Sequence, residues 1–268
     1  MGAVGQEAIA RGAVALGLGG RPLCLHVSMR SFEHLERGAQ TVVDGLLDAG
    51  CTVMVPSFSH QFEVAPPQDD RPERNGIDYS VARAYAGDGH AYRPDAPIEP
   101  WLGAVPAHVV ARTDSARGAD AVGSFAAVGP FAGDLLVGEG DDIFGPLRAL
   151  AHLGGWVVLM GVGLNRMTLL HLAEFSAGRR PFIRWVNGPG GQPIRLGVGL
   201  CSEGFPKLED RLAYLARTTN VGASTWRAYP ASETLAAAAS EIRRNPSLTH
   251  CGRECIECRD AIAGGPIA

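Results

Sequence analysis

Pro22-Leu23-Cys24-Leu25-His26-Val27 is a compact apolar strand, and Cys51-Thr52-Val53-Met54-Val55, stopped by Pro56, is a second. Between them, residues 41–49 carry Val42, Val43, Leu46 and Leu47 at helical spacing, and Gly50 closes the segment. Strand, helix and strand in that order is the rhythm of a parallel sheet. Working outward, Trp156-Val157-Val158-Leu159-Met160 is a third buried strand with glycines on both sides. Residues 194–198 read as a further strand. Helices are expected over residues 5–16, 102–111, 168–177, 208–217 and 236–243. The polar stretch 57–100, rich in Pro, Asp and Arg, is a long inserted loop, and loops of that length in compact proteins are commonly functional. No repeat or linker interrupts the chain, so residues 1–268 read as one domain of the α/β class.

The 268 residues are 46% apolar and 19% charged, an ordinary globular balance. Glycine supplies 35 of them, about twice the usual ~7%, which marks many turns and close backbone approaches. The net charge is −4, and Lys207 is the one lysine. A nucleic-acid binder needs a basic stripe to displace counterions, and basic residues here run no further than pairs such as Arg179-Arg180. The longest apolar run, residues 156–164, is about half the ~20 residues a membrane span requires. The N-terminal stretch contains Gln6, Glu7 and Arg11 and has no secretory apolar region. The chain reads as cytoplasmic, without membrane or nucleic-acid partners.

The sharpest local feature is Gly161-Val162-Gly163-Leu164-Asn165-Arg166-Met167-Thr168-Leu169-Leu170-His171-Leu172-Ala173-Glu174. It runs from strand through a glycine turn into a helix, where ligand sites of open α/β sheets gather. Thr168 is the expected N-cap, which puts His171 in the first turn with Glu174 on the same face. A carboxylate beside an imidazole fixes its tautomer, and the helix N-terminus favours the neutral ring, as a general base requires. The same His-x-x-Glu spacing also occurs as a plain surface pair. Gly161-x-Gly163 is followed by Arg166 where a dinucleotide fingerprint needs glycine, and no Walker sequence or Gly-x-Ser-x-Gly elbow occurs. His26 and Ser28 end the first strand, at a position that suits either a site or a satisfied core histidine.

Cys24 and Cys51 sit inside apolar strands as core thiols. Cys251, Cys255 and Cys258 form C-x3-C-x2-C directly after His250. A disulfide does not suit a cytosolic chain. Cys255 and Cys258 offer a zinc ligand pair, which His250, Cys251 or the distant Cys201 would complete; free thiols on a frayed terminus are the alternative.

As an ordered set, these segments resemble the aminoglycoside 3-N-acetyltransferases, which are acetyl-CoA-dependent antibiotic acetyltransferases. Residues 161–174 resemble that family's strand-turn-helix motif almost throughout, including Thr168, His171, Ala173 and Glu174. Leu25-His26-Val27-Ser28-Met29-Arg30-Ser31 is similar to its N-terminal histidine–serine strand end, and residues 38–47 to the helix that follows. Thr52-Val53-Met54-Val55-Pro56-Ser57-Phe58-Ser59, Gly103-Ala104-Val105-Pro106 and Ser124-Phe125-Ala126-Ala127-Val128-Gly129 carry the likeness onward. The cysteine tail is similar to that of some members.

The resemblance implies a central, mostly parallel sheet flanked by helices, a groove for acetyl-CoA, and direct acetyl transfer to the 3-amine of a deoxystreptamine ring, conferring antibiotic resistance. It makes His171 the base, Glu174 its orienting partner and His26 a neighbour of the reacting amine. Ser28, Arg30, Ser31 and Thr41 would contact CoA, together with Arg117, Ser124 and Phe125 from the middle motif and Thr168. Acidic residues should hold the other ammonium groups of a polyamine, with Asp78 and Glu203 as candidates. A structural zinc would use Cys201, His250, Cys255 and Cys258.

The sequence departs from the family's pattern at Arg117-Gly118-Ala119-Asp120-Ala121, where Asp120 stands at a usual histidine. The loop 57–100 also differs from the best-known members. Both departures bear on the acceptor. The rival readings are acetylation of a metabolic or biosynthetic amine, a relative that binds CoA or sugar without catalysis, and a cluster-binding radical enzyme.

Overall fold

The computed structural model describes residues 2–82, 90–136, 143–188 and 191–262. In chain order these form α1 (Gln6–Ala15), β1 (Pro22–Val27), α2 (Ala39–Asp48), β2 (Thr52–Pro56), β3 (Glu63–Val64), α3 (Ala104–Val110), β4 (Ala116–Arg117) and β5 (Phe125–Val128). There follow α4 (Ala132–Leu135), α5 (Gly145–His152), β6 (Trp156–Met160), α6 (Leu169–Ser176), β7 (Phe182–Asn187), β8 (Pro193–Val198) and α7 (Glu209–Leu212). β9 (Arg217–Val221), β10 (Ser224–Pro230), α8 (Ala231–Arg244) and α9 (Ile256–Ile262) complete them.

Strand β1 lies at the middle of a seven-stranded sheet ordered β4-β5-β2-β1-β6-β10-β9. It runs parallel to β2 on one side and to β6 on the other, as the strand-helix-strand pattern requires. The remaining pairings, β2 with β5, β5 with β4, β6 with β10 and β10 with β9, are antiparallel. The sheet is therefore mixed rather than mostly parallel. The hairpin supplies the reason on one flank. Val221 pairs with Ser224 across a two-residue turn, and so short a connection permits only antiparallel strands. The expected helix 208–217 is cut to α7 and a 3-10 turn, and its end becomes the start of β9.

Alternating side chains divide between the two faces. Leu23, Leu25, Val53, Val55, Val158 and Met160 pack beneath α1, α2 and α3. Cys24, Met54, Val157 and Leu159 pack against the layer that holds α5, α6 and α8. Fully burying each large apolar side chain contributes about 1.5–3 kcal/mol, so a one-residue slip of β1 or β6 would exchange the contents of two cores. The result is three layers, with helices on both faces of the sheet.

Beside it lies a smaller antiparallel sheet ordered β3-β7-β8. The strand expected at 194–198 is β8, paired along its length with β7. The stretch 57–100 is not wholly irregular, because Glu63 and Val64 pair with Val186 and Trp185 of β7. Residues 83–89 of that stretch lie outside the described residues. Phe182, Val186, Leu196 and Val198 join the same core as α6, which fixes the small sheet beside the first turn of that helix. No helix among the described residues is long and apolar enough to cross a membrane.

Candidate active site

Helix α6 begins nine residues after the carboxyl end of β6, and His171 is its third residue. His171 Nδ1 lies 3.0 Å from Glu174 Oε2. Both side chains are deeply placed, with His171 9% and Glu174 5% exposed. A carboxylate so far from water needs further partners. Glu174 Oε1 receives them from the Arg179 guanidinium and from Thr249 Oγ1 at 2.7 Å, and Arg179 Nη1 also donates to Thr249 Oγ1 at 2.9 Å. With the carboxylate accepting from Nδ1, the neutral ring carries its proton there and keeps a lone pair on Nε2. Thr168 stands at the expected N-cap position of the helix, without a side-chain capping bond.

The ring is held from two other sides. Phe205 packs against it at 4.8 Å between centroids. A Cβ on Gly199 would stand 2.3 Å from His171 Cγ, so only a glycine lets the backbone after β8 pass there. His171 lines a cavity of about 310 Å³. Aromatic residues Phe58, Trp101, Phe125 and Phe144 line it as well, with Glu63, Arg184 and Glu257 among its charged groups. Glu63 accepts from His60 Nδ1 at 2.5 Å and faces Arg184 Nε at 4.0 Å. Burial pushes the Glu257 carboxyl above its ordinary value, against the opposing pull of Arg184 and His171.

A second cavity, of about 540 Å³, runs along the end of β1, past His26, Ser28, Met29 and Arg30. Phe58, Trp101, Arg166 and Thr168 line both cavities, so the two meet at the turn that leads into α6. His26 is buried beside Cys24, whose Sγ lies 3.8 Å from its Nε2. Desolvation, and next the positive charge of Arg166, push its pKa down to about 3, so the ring is neutral near pH 7.

The residues expected from the sequence thus separate. His171, Thr168 and Phe125 line the first cavity, and His26, Ser28, Arg30 and Thr168 line the second. Ser31, Thr41, Arg117 and Ser124 line neither. Ser31 Oγ donates to Ser28 O and meets Ser224 Oγ, each at 2.7 Å. Thr41 Oγ1 accepts from Arg37 N at 2.9 Å, at the start of α2. The Arg117 guanidinium braces the long loop, bonding Ser59 Oγ at 2.7 Å and Pro94 O at 3.1 Å and lying over Tyr92. Ser124 Oγ donates to Ser57 O at 2.6 Å. Asp78 is exposed and bonds Ser80, and Glu203 is exposed; neither lines either of these two cavities.

Sequence reasoning missed Glu63 and Glu257, because nothing local marks an acid that a distant strand or helix carries into a cavity. Arg179 had a weak signal, as the first arginine after the helix that carries the buried Glu174. The cysteine cluster also differs from expectation. Cys251, not His250, joins Cys201, Cys255 and Cys258, and the four sulfurs all lie within 4.8 Å of one another. His250 and Cys251 are adjacent, so their side chains leave the backbone in different directions, and the fold turns the thiol inward.

The sequence and the fold have counterparts among known proteins. A family model described as aminoglycoside 3-N-acetyltransferase matches residues 24–242. The aminoglycoside N(3)-acetyltransferase IX of Micromonospora chalcea is 34% identical over 179 residues, 60% of this chain, and the chain spans 58% of that relative's length. A mutant of the aminoglycoside acetyltransferase AAC(3)-IVa in complex with a gentamicin shares the fold with a TM-score of 0.77 at 24% identity, over 98% of both chains. AAC-IIIb in its binary complex with CoASH does so with a TM-score of 0.73 at 20% identity, over 91% of this chain and 97% of the other. With well over half of its length matched by the family model, the chain belongs to the aminoglycoside 3-N-acetyltransferase family.

Proposed function

We propose that the protein transfers the acetyl group of acetyl-CoA to the 3-amine of an aminoglycoside, with His171 as the base. The observation that carries this reading is the buried His171–Glu174 pair on the wall of a cavity with both aromatic and acidic walls. The relatives named above act on or bind aminoglycosides and CoA, which agrees with the same assignment here. The polyamine occupies the first cavity, where Glu63 and Glu257 receive its remaining ammonium groups. These two take the role expected of Asp78 and Glu203. The CoA arm follows the second cavity, with Ser28 and Arg30 toward its polar end, and the thioester reaches the junction at Arg166 and Thr168.

The step is a direct transfer. The amine nitrogen bonds to the thioester carbonyl carbon while its proton passes to His171 Nε2. The imidazolium is stabilised through Nδ1 by Glu174, whose own charge is balanced by Arg179. The tetrahedral intermediate then releases the CoA sulfur, which leaves as thiol by taking the proton from His171. The N-terminal turn of α6 favours the negative charge that develops on oxygen. Positioned base catalysis of this kind contributes typically about 10²–10⁴-fold.

Thiol release from acetyl-CoA across an aminoglycoside panel, run beside His171→Ala, tests the reading. Release by the native protein, lowered about 10²–10⁴-fold in the variant, is expected. Silence across the panel with CoA still bound would move the acceptor to another class of amine. Silence without CoA binding would overturn the assignment.

A further inference from the structure

We propose that Cys201, Cys251, Cys255 and Cys258 form a tetrathiolate zinc site that clamps the C-terminal segment against the base-supporting wall of the active site. The four side chains each offer one sulfur, and all four sulfurs lie within 4.8 Å of one another. A tetrahedral zinc with Zn–S bonds of about 2.3 Å sets its sulfurs roughly 3.8 Å apart, so a small contraction seats the ion. Cys258 is buried and the other three are half-buried, as in closed structural sites. An all-sulfur tetrahedral donor set selects zinc over the hard, oxygen-seeking cations. On binding, zinc displaces the thiol protons and leaves a dianionic centre.

The backbone around the cluster suits thiolates. The Cys251 N–H donates to Cys258 Sγ at 3.4 Å. The backbone N–H groups of Glu203 and Arg253 face Cys201 and Cys251, each two residues beyond the cysteine it serves. Such donors orient sulfur and offset its charge. Two distant segments also come unusually close here. A Cβ on Gly204 would lie 2.0 Å from Thr249 O, so the loop after Cys201 passes directly over the backbone that leads to Cys251.

The position of the cluster says what it holds. Two residues before Cys201 is Gly199, which abuts the His171 ring. Two residues before Cys251 is Thr249, which bonds Glu174, and Pro246 O accepts from Arg179 at 2.5 Å. Glu257, beside Cys258, lines the first cavity. One ion thus ties the segment behind His171 to the segments that support Glu174 and supply Glu257. The cysteines are positioning residues and touch no reacting atom.

Metal content tests the site independently of any acetyl transfer. Native protein, purified without an affinity tag and under reducing conditions, is expected to carry one zinc per chain and to release it as a mercurial titrates the cluster's thiols. Cobalt exchanged for the zinc should give intense visible bands and thiolate-to-cobalt charge transfer in the near ultraviolet. Cys255→Ser should lose the metal, and His250→Ala should keep it. If Cys255→Ser does not fold, the cobalt spectrum of the native chain still decides. A reduced protein with neither zinc nor a tetrathiolate cobalt spectrum would overturn the proposal. So would thiols found paired as disulfides by intact mass, or metal lost from His250→Ala.

Discussion

Gly199 closes one face of the His171 imidazole: a Cβ there would fall 2.3 Å from Cγ and 2.4 Å from Nδ1. The absence of a side chain at Gly199 therefore helps to set the ring plane that Glu174 then fixes from its own edge. Gly199→Ala should displace the ring. Because a misplacement of ~1 Å can cost about 10²-fold, kcat is expected to fall by roughly that factor. Calorimetric binding of CoA, assigned by the proposal to the neighbouring cavity, should hold. An unchanged kcat would mean that the ring's position has more tolerance than the contact implies.

Glu174 answers to both His171 and Arg179, so its neutralisation acts twice. Glu174→Gln leaves the mostly buried Arg179 guanidinium without its anion. Breaking a buried pair from one side costs about 3–5 kcal/mol, and denaturant unfolding should read a loss of that order. Turnover should fall as well, since the imidazolium loses its counter-charge. A variant as stable as the native protein would show that Thr249 and Pro246 alone satisfy Arg179.

A substitution at Glu257 tests the proposed substrate binding apart from the chemistry. Glu257→Gln should raise KM for a polyamine acceptor by about tenfold or more, the scale of one charged hydrogen bond, while kcat changes less. Steady-state kinetics over acceptors with different numbers of amines would measure it. Equal effects on all acceptors would argue against a specific ammonium contact.

His26 makes stability depend on pH. Its folded pKa is pushed down to about 3, below the ordinary 6.5, because burial and Arg166 both disfavour the cation. Between those values the unfolded chain binds a proton that the folded chain does not, so stability rises with pH through that window and falls as pH drops toward 3. The slope from this one group is on the order of 1.4 kcal/mol per pH unit. His26→Asn should unfold with a pH dependence shallower by about one proton than the native chain's, measured by denaturant titration from pH 4 to 7. Parallel slopes would mean that the native His26 protonates in place.

Local pattern determined much of this protein. The apolar runs at Pro22–Val27, Thr52–Pro56 and Trp156–Met160 placed three parallel strands, and the spacing between the first two placed a helix. The i, i+3 spacing of His171 and Glu174 put the two side chains on one helix face, because that spacing is a property of any helix. The cysteine-rich tail announced a cluster before its members were settled. Tertiary structure decided the rest. The antiparallel flanks arise from a tight turn and a long return, neither of which strand periodicity encodes. Arg117 and Ser124, which looked like ligand contacts, brace a loop. Glu63 and Glu257 meet at one cavity from a two-residue strand and the last described helix, nearly two hundred positions apart. Cys251 displaced His250 because backbone direction, not residue type, chooses which neighbour faces inward. Periodicity reports which face of an element is buried; only the packing of elements decides which side chains share a cavity.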